Sequence, residues 1–201
     1  MENVTERVHN PFGMRIEGGA AYGYGDANAD FHFIGDSPAR HGGVKTGVPF
    51  TETEAGRRLQ SVLAEVGFAA EAYSDEPQLS NTFLSYAHPG ITDGEPPEAA
   101  YDEQERFLDA ELRAINAHIL FPVGDRALRY ALEQHTSLLR KVDVDAASHH
   151  ATGIRGRGFL VVPVTEPAAW TDADRAALVE KITALLDGDY RQTKGIPTTV
   201  G

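Results

Sequence analysis

The chain has no cysteine among its 201 residues. That excludes a disulfide framework, a thiolate-held zinc, an iron–sulfur cluster and a cysteine nucleophile. Lysine is nearly missing as well: Lys45, Lys141, Lys181 and Lys194 stand against 14 arginines. No apolar run approaches the roughly 18 residues of a membrane-spanning helix. Residues Met1 to Glu6 lack the basic region and apolar stretch of a signal peptide, so the expectation is a soluble, cytoplasmic protein. None of the histidines falls in an H-E-x-x-H or comparable spacing, and His149 and His150, being adjacent, would point to opposite faces of a strand. Neither a metal nor a cofactor is expected.

What is present is acid. Thirty Asp and Glu against 18 Lys and Arg give a net charge of −12, with 41% hydrophobic residues. Abundant acid with scarce lysine is the bias of proteins that stay hydrated in strong salt, a halophilic character. Taken alone, −12 speaks against nucleic acid, whose binding usually leaves a basic footprint. In molar salt, however, screening shortens to roughly 3 Å and counterion release weakens, so an acidic surface is compatible with a locally basic groove.

A length near 200 residues fits one domain, read here as 1–201 with an irregular, glycine-rich lead-in over 1–25 and a flexible tail over 188–201. Four short apolar runs predict strands: Phe31–Ile34, Leu79–Tyr86, His118–Gly124 and Phe159–Val164. Helical spacing predicts helices from about Thr53 to Gly67, Tyr101 to Ala117, Asp125 to Glu133 and Asp172 to Leu186. Strands alternating with helices imply an α/β fold: three layers, α/β/α, around a central four-stranded parallel sheet.

Ligands of such sheets bind beyond the carboxyl ends of the strands. Four positions are candidates on that rule: Gly35-Asp36-Ser37-Pro38, Asn81 within the second strand, Gly124-Asp125, and Thr165-Glu166-Pro167. Gly-Asp-Ser after a strand also opens the GDSL esterases, which would make Ser37 a nucleophile. The Asp-x-x-His that supplies their base does not occur in this sequence. Arg155 and Arg157, set among glycines, suit a DNA phosphate or are simply an exposed loop.

Together these segments resemble the uracil-DNA glycosylase superfamily over roughly residues 20 to 187. Tyr24-Gly25-Asp26-Ala27-Asn28-Ala29-Asp30 with Phe33-Ile34-Gly35-Asp36-Ser37-Pro38-Ala39 resembles the opening motif of the iron–sulfur members. Gly47-Val48-Pro49-Phe50 followed by Ala55-Gly56-Arg57-Arg58-Leu59, then Ser80-Asn81-Thr82-Phe83, then Pro122 to Leu128, then Pro163 to Ala169 match later motifs in order.

The resemblance implies roles. Phe50 would stack on an extruded base, Asn81 would read the uracil edge, and Asp36 would orient or deprotonate water. Gly35, Pro38 and His41 would line the first-motif loop. From the residues alone, Phe50 is equally a core phenylalanine, Asn81 a strand-edge asparagine, and Asp36 a turn or N-cap residue. Three departures stand out. Glu166 occupies the place of the histidine that serves the leaving base, Ser37 stands where other branches place a catalytic Asp or Asn, and the cluster cysteines are absent. The leaving base needs a hydrogen-bond donor, so either Glu166 is held protonated, or a donor arrives from elsewhere, for which Arg40 and His41 are candidates, or excision is impaired. The partner implied is DNA containing a damaged base, bound by a monomer. The function implied is hydrolysis of the N-glycosidic bond of uracil or another deaminated base. Alternatives are a catalytically degenerate nucleobase-binding member and, remotely, a GDSL-type serine esterase.

Overall fold

A computed structural model describes residues 7–11, 13–136, 142–156 and 158–190. The apolar run after Asp30 becomes β3 (Phe31–Gly35), and its neighbours are β4 (Thr82–Tyr86), β5 (Ile119–Pro122) and β7 (Leu160–Val161). These run parallel, β4 and β5 flanking β3 and β7 beyond β5. Among the described residues the sheet is nevertheless seven-stranded and mixed, in the order β1-β2-β4-β3-β5-β7-β6, and not the four-stranded parallel sheet expected. The lead-in supplies two of the extra strands, β1 (Arg7–His9) and β2 (Tyr24–Asp26), and β6 (Ile154–Arg155) closes the other edge. All three pair antiparallel.

The fourth expected strand is cut short by proline. Pro163 has no N–H for the ladder, so β7 ends at Val161. The ladder nonetheless continues through Val162 N to Leu120 O and Val164 N to Pro122 O, both 2.8 Å.

Helices cover both faces. Phe31, Phe33 and Phe121 point to the face packed by α2 (Glu54–Glu65) and α5 (Asp172–Asp187) through Leu59, Leu63, Leu178 and Ile182. Ile34 and Leu120 point the other way, against Leu108 and Leu112 of α3 (Glu98–Ile115) and Ala127 of α4 (Gly124–His135). This is the period-2 alternation of buried strands. Thr53 caps α2, and Thr171 caps α5 in a capping box with Asp174. No helix among the described residues is long and apolar enough to cross a membrane.

At the amino ends of the strands, Asp26, Asp30 and Asn81 form a knot. Asn81 N donates to Asp26 Oδ2 at 2.9 Å, and Asn81 Oδ1 accepts from Asp30 N at 2.8 Å. The beginning of the expected tail docks on it: Tyr190 donates to Asp30 Oδ2 at 3.0 Å, and its ring lies against Phe31.

Candidate active site

Beyond the carboxyl end of β3 the chain turns through Asp36 and Ser37 into a single helical turn, α1 (Pro38–His41), with Ser37 as N-cap and Pro38 at its start. The cap therefore belongs to Ser37, and Asp36 is left to point elsewhere. The backbone N–H of Asp36 donates to Nδ1 of His41 at 3.0 Å. Nδ1 is thus an acceptor, which places the ring proton on Nε2. Nε2 lies 3.1 Å from Oε2 of Glu166 and donates to it, while Arg40 Nε donates to the same oxygen at 2.9 Å. Burial works to raise the Glu166 pKa, but the hydrogen bonds from His41 and Arg40 and the positive charge of Arg40 prevail and hold it down to about 2. Glu166 is therefore ionised and already supplied with donors; the protonated alternative is set aside.

The His41 ring stacks on Phe50, centroids 5.2 Å apart and 22° from parallel, and both side chains are fully buried. Phe50 sits at φ 57°, a left-handed conformation that costs a non-glycine residue roughly 1–2 kcal/mol. Two neighbours hold it there: Tyr86 OH accepts from Phe50 N at 2.6 Å, and Gln60 donates to Phe50 O at 2.8 Å. Gly35 is required beneath, because a Cβ there would meet Phe50 Cζ at 2.6 Å. Gly56 is required behind, since its Cβ would meet Phe50 O at 2.4 Å.

On the other side of the loop Asp36 is buried and held by both oxygens. The Tyr101 hydroxyl donates to Oδ1, and Arg126 Nε lies 3.4 Å from Oδ2. Arg126 also lies over the Tyr101 ring, 3.9 Å from its centroid, and donates to Glu98 at 2.6 Å. Burial and the bond to Asp36 push the Tyr101 hydroxyl far above the ordinary tyrosine range, so it stays a donor. Beyond β4, His88 donates its backbone N–H to Asp36 O at 2.9 Å. Its ring is buried beside Tyr101, and that burial lowers its pKa. Ser37 Oγ and His88 Nδ1 are buried without a well-formed hydrogen bond, an uncommon state.

The loop carrying Glu166 is fixed from outside. Trp170 Nε1 donates to Thr165 O at 2.9 Å, and Arg58 of α2 reaches Trp170 O at 2.8 Å and Pro167 O at 3.5 Å.

The pattern of the Uracil DNA glycosylase superfamily matches residues 22–187. The chain belongs to that superfamily. No curated protein matches it. For this superfamily member, the structure gathers Gly35, Asp36, Ser37, Pro38, Arg40, His41, Phe50 and Glu166 at one end of the sheet.

Asn81 is not among them. It precedes β4 instead of lying within the strand, at φ 55°. The five residues of β4 put it about 16 Å, at roughly 3.3 Å per residue, from the carboxyl end where Tyr86 and His88 lie. Its side chain is spent on Asp30. Arg155 is exposed on β6, paired with Leu160 at the amino end of β7, and so is also remote from Glu166; Arg157 lies outside the described residues. Both nitrogens of His41 are engaged, by Asp36 N and Glu166, and Ser37 Oγ makes no hydrogen bond to a histidine of the kind a serine esterase uses.

Three residues around Asp36 were given no site role from the sequence: His88 and Arg126, both within matched segments, and Tyr101. His88-Pro89 closes the second strand at its carboxyl end, and Arg126 follows the third, so the same strand-end rule could have found both. No group of three or more metal-ligating side chains occurs among the described residues.

Proposed function

We propose that the protein hydrolyses the N-glycosidic bond of uracil or another deaminated base in DNA, acting as a monomer. The observation that carries this reading is the Arg40–Glu166–His41 group, held against Phe50 and one short loop away from the buried carboxylate of Asp36. In the reaction the C1′–N bond breaks with its electron pair going to the base, water adds to C1′, and the proton it sheds ends on the departed base anion. The sugar carbon becomes cationic, and Asp36 is placed to stabilise that charge. Because Oδ1 already accepts from Tyr101 and Oδ2 is ion-paired with Arg126, it is better suited to an electrostatic role than to proton abstraction. The departing base becomes anionic and needs donors. Arg40 supplies them: its guanidinium carries five N–H groups, the Nε–H goes to Glu166, and its side chain is half exposed. Glu166 holds Arg40 and His41 in position and does not itself contact the base as a donor.

The covering of Phe50 by His41 favours a second reading, a nucleobase-binding member without turnover, since a base stacks on Phe50 only after His41 moves. One assay separates the two. Uracil-containing single- and double-stranded DNA is incubated with the protein in molar KCl, and free base is measured. Release is expected, falling by about 100-fold or more in Arg40→Gln if that donor serves the leaving base. No release from uracil, hypoxanthine or xanthine substrates rejects the hydrolase. Binding without release, followed by a large gain in Glu166→His, establishes the second reading.

A further inference from the structure

We infer that the cleft between α2 and the start of α5 is a binding track for the phosphodiester backbone of single-stranded DNA. The inference rests on the preceding reading for its choice of ligand. The cleft, of about 350 Å³, is lined by Arg57, Arg58 and Arg175 with Ser61, and Asp172 stands at its lip. Three arginines on one cleft are unexpected on a chain of net charge −12. Arg57 is exposed, and its guanidinium is braced 4.1 Å over the Tyr73 ring. Arg175 reaches Ser61 Oγ at 3.5 Å and pairs with Glu65, while Arg58 pairs with Glu54 at 2.8 Å.

Those pairs lie at the surface, where an ion pair contributes little, and a phosphate competes for the same guanidinium with matching geometry and a full charge. Arginine so braced loses less freedom on binding than a lysine would.

The cleft adjoins the site through the chain itself. Arg40 holds Glu166 on one side, and Arg58 holds the carbonyl of Pro167, the next residue, on the other. A strand with one nucleotide at Glu166 therefore runs its adjoining phosphates past Arg58 toward Arg57 and Arg175. The acidic remainder of the surface opposes a second strand.

The test is fluorescence anisotropy of a labelled oligothymidine, which carries no uracil, titrated with the protein over a series of KCl concentrations. For single strands the slope of log K against log[KCl] is about 0.7 per phosphate neutralised. Arg57→Gln and Arg175→Gln are each expected to reduce the slope by about that amount, and Arg155→Gln to leave it unchanged. Arg57→Lys should restore it. Thermal unfolding checks each variant, and Arg57→Gln, at an exposed position, carries the test if Arg175→Gln does not fold. Absence of binding at low salt, slopes unmoved by both substitutions, or a slope that follows Arg155 would overturn the track. Wild type that binds with this slope yet releases no base rejects the glycosylase reading and leaves the track standing. Base release with unmoved slopes rejects the track alone.

Discussion

Replacing Glu111 by glutamine should stabilise the protein, and increasingly so as pH rises. Glu111 lies on α3, nearly fully buried beneath the sheet, and accepts from Gly23 N at 2.9 Å. Burial pushes its carboxyl up to about 8 from the ordinary 4.5; hydrogen bonds from Gly23 and Ser85 oppose the shift without reversing it. Ser85 in turn bonds His32 at 2.6 Å, so the carboxyl belongs to a closed polar chain inside the fold. The sign follows from proton counting. Between about pH 4.5 and 8 the folded protein keeps a proton that the unfolded chain has lost, so stability falls as pH rises across that window and levels off above it. The slope is about 1.4 kcal/mol per pH unit, which accumulates to the order of 3 kcal/mol by pH 7. Glutamine can accept from the same Gly23 amide and donate to Ser85, and it does not titrate. Urea unfolding of both proteins at fixed salt, from pH 5 to pH 9, should show curves that nearly coincide at the acid end and diverge steadily to about pH 8. A difference independent of pH, or one that shrinks as pH rises, would refute the assignment.

Other expectations follow from the same contacts. Gly56→Ala forces a methyl against the Phe50 carbonyl and should cost about 1–3 kcal/mol of stability, read from the urea midpoint together with loss of near-ultraviolet dichroism. Tyr101→Phe removes the donor to Asp36 Oδ1 and should cost about 1–3 kcal/mol while lowering turnover of base release more than KM. Arg58→Met releases the carbonyls of Pro167 and Trp170, so hydrogen exchange should quicken at the amides of residues 168–171 while α2 itself stays protected.

Much of the frame was legible because buried strands and amphipathic helices write their periods into the sequence. Phe31 to Ile34 alternates between two cores, the helical run read from about Thr53 starts at the Thr53 cap, and of Thr171 and Asp172, either of which could cap the last helix, Thr171 does. Other parts were not legible, for physical reasons. β1 and β2 are three residues each and rich in neither alternation nor bulk, so only their pairing partners make them strands. Asn81 punctuates the run Leu79–Tyr86, and a polar residue there reads the same whether its backbone is extended or left-handed. Asparagine is one of the few residues that tolerate the left-handed form, and the turn moves it out of the strand and away from the site. Tyr101 shares helical spacing with Leu108 and Leu112, and spacing cannot distinguish a ring that only packs from one whose hydroxyl holds a carboxylate. The Arg40–Glu166 pairing joins residues 126 positions apart; the residue types made it conceivable, and only the fold made it a contact.

The knot of Asp26, Asp30 and Asn81 assigns a location to the ends of the described chain. Arg7 pairs with Asp26, and Tyr190 bonds Asp30, so the first strand enters and the last helix leaves at the amino face of the sheet. The chemistry proposed above belongs to the opposite face. Anchoring and reactivity are thereby separated by the length of the strands. A fusion partner, a surface tether or a neighbouring domain attached before Arg7 or after Tyr190 starts from the face remote from Glu166, and loops at the reactive face can change sequence without loosening the fastening of the ends.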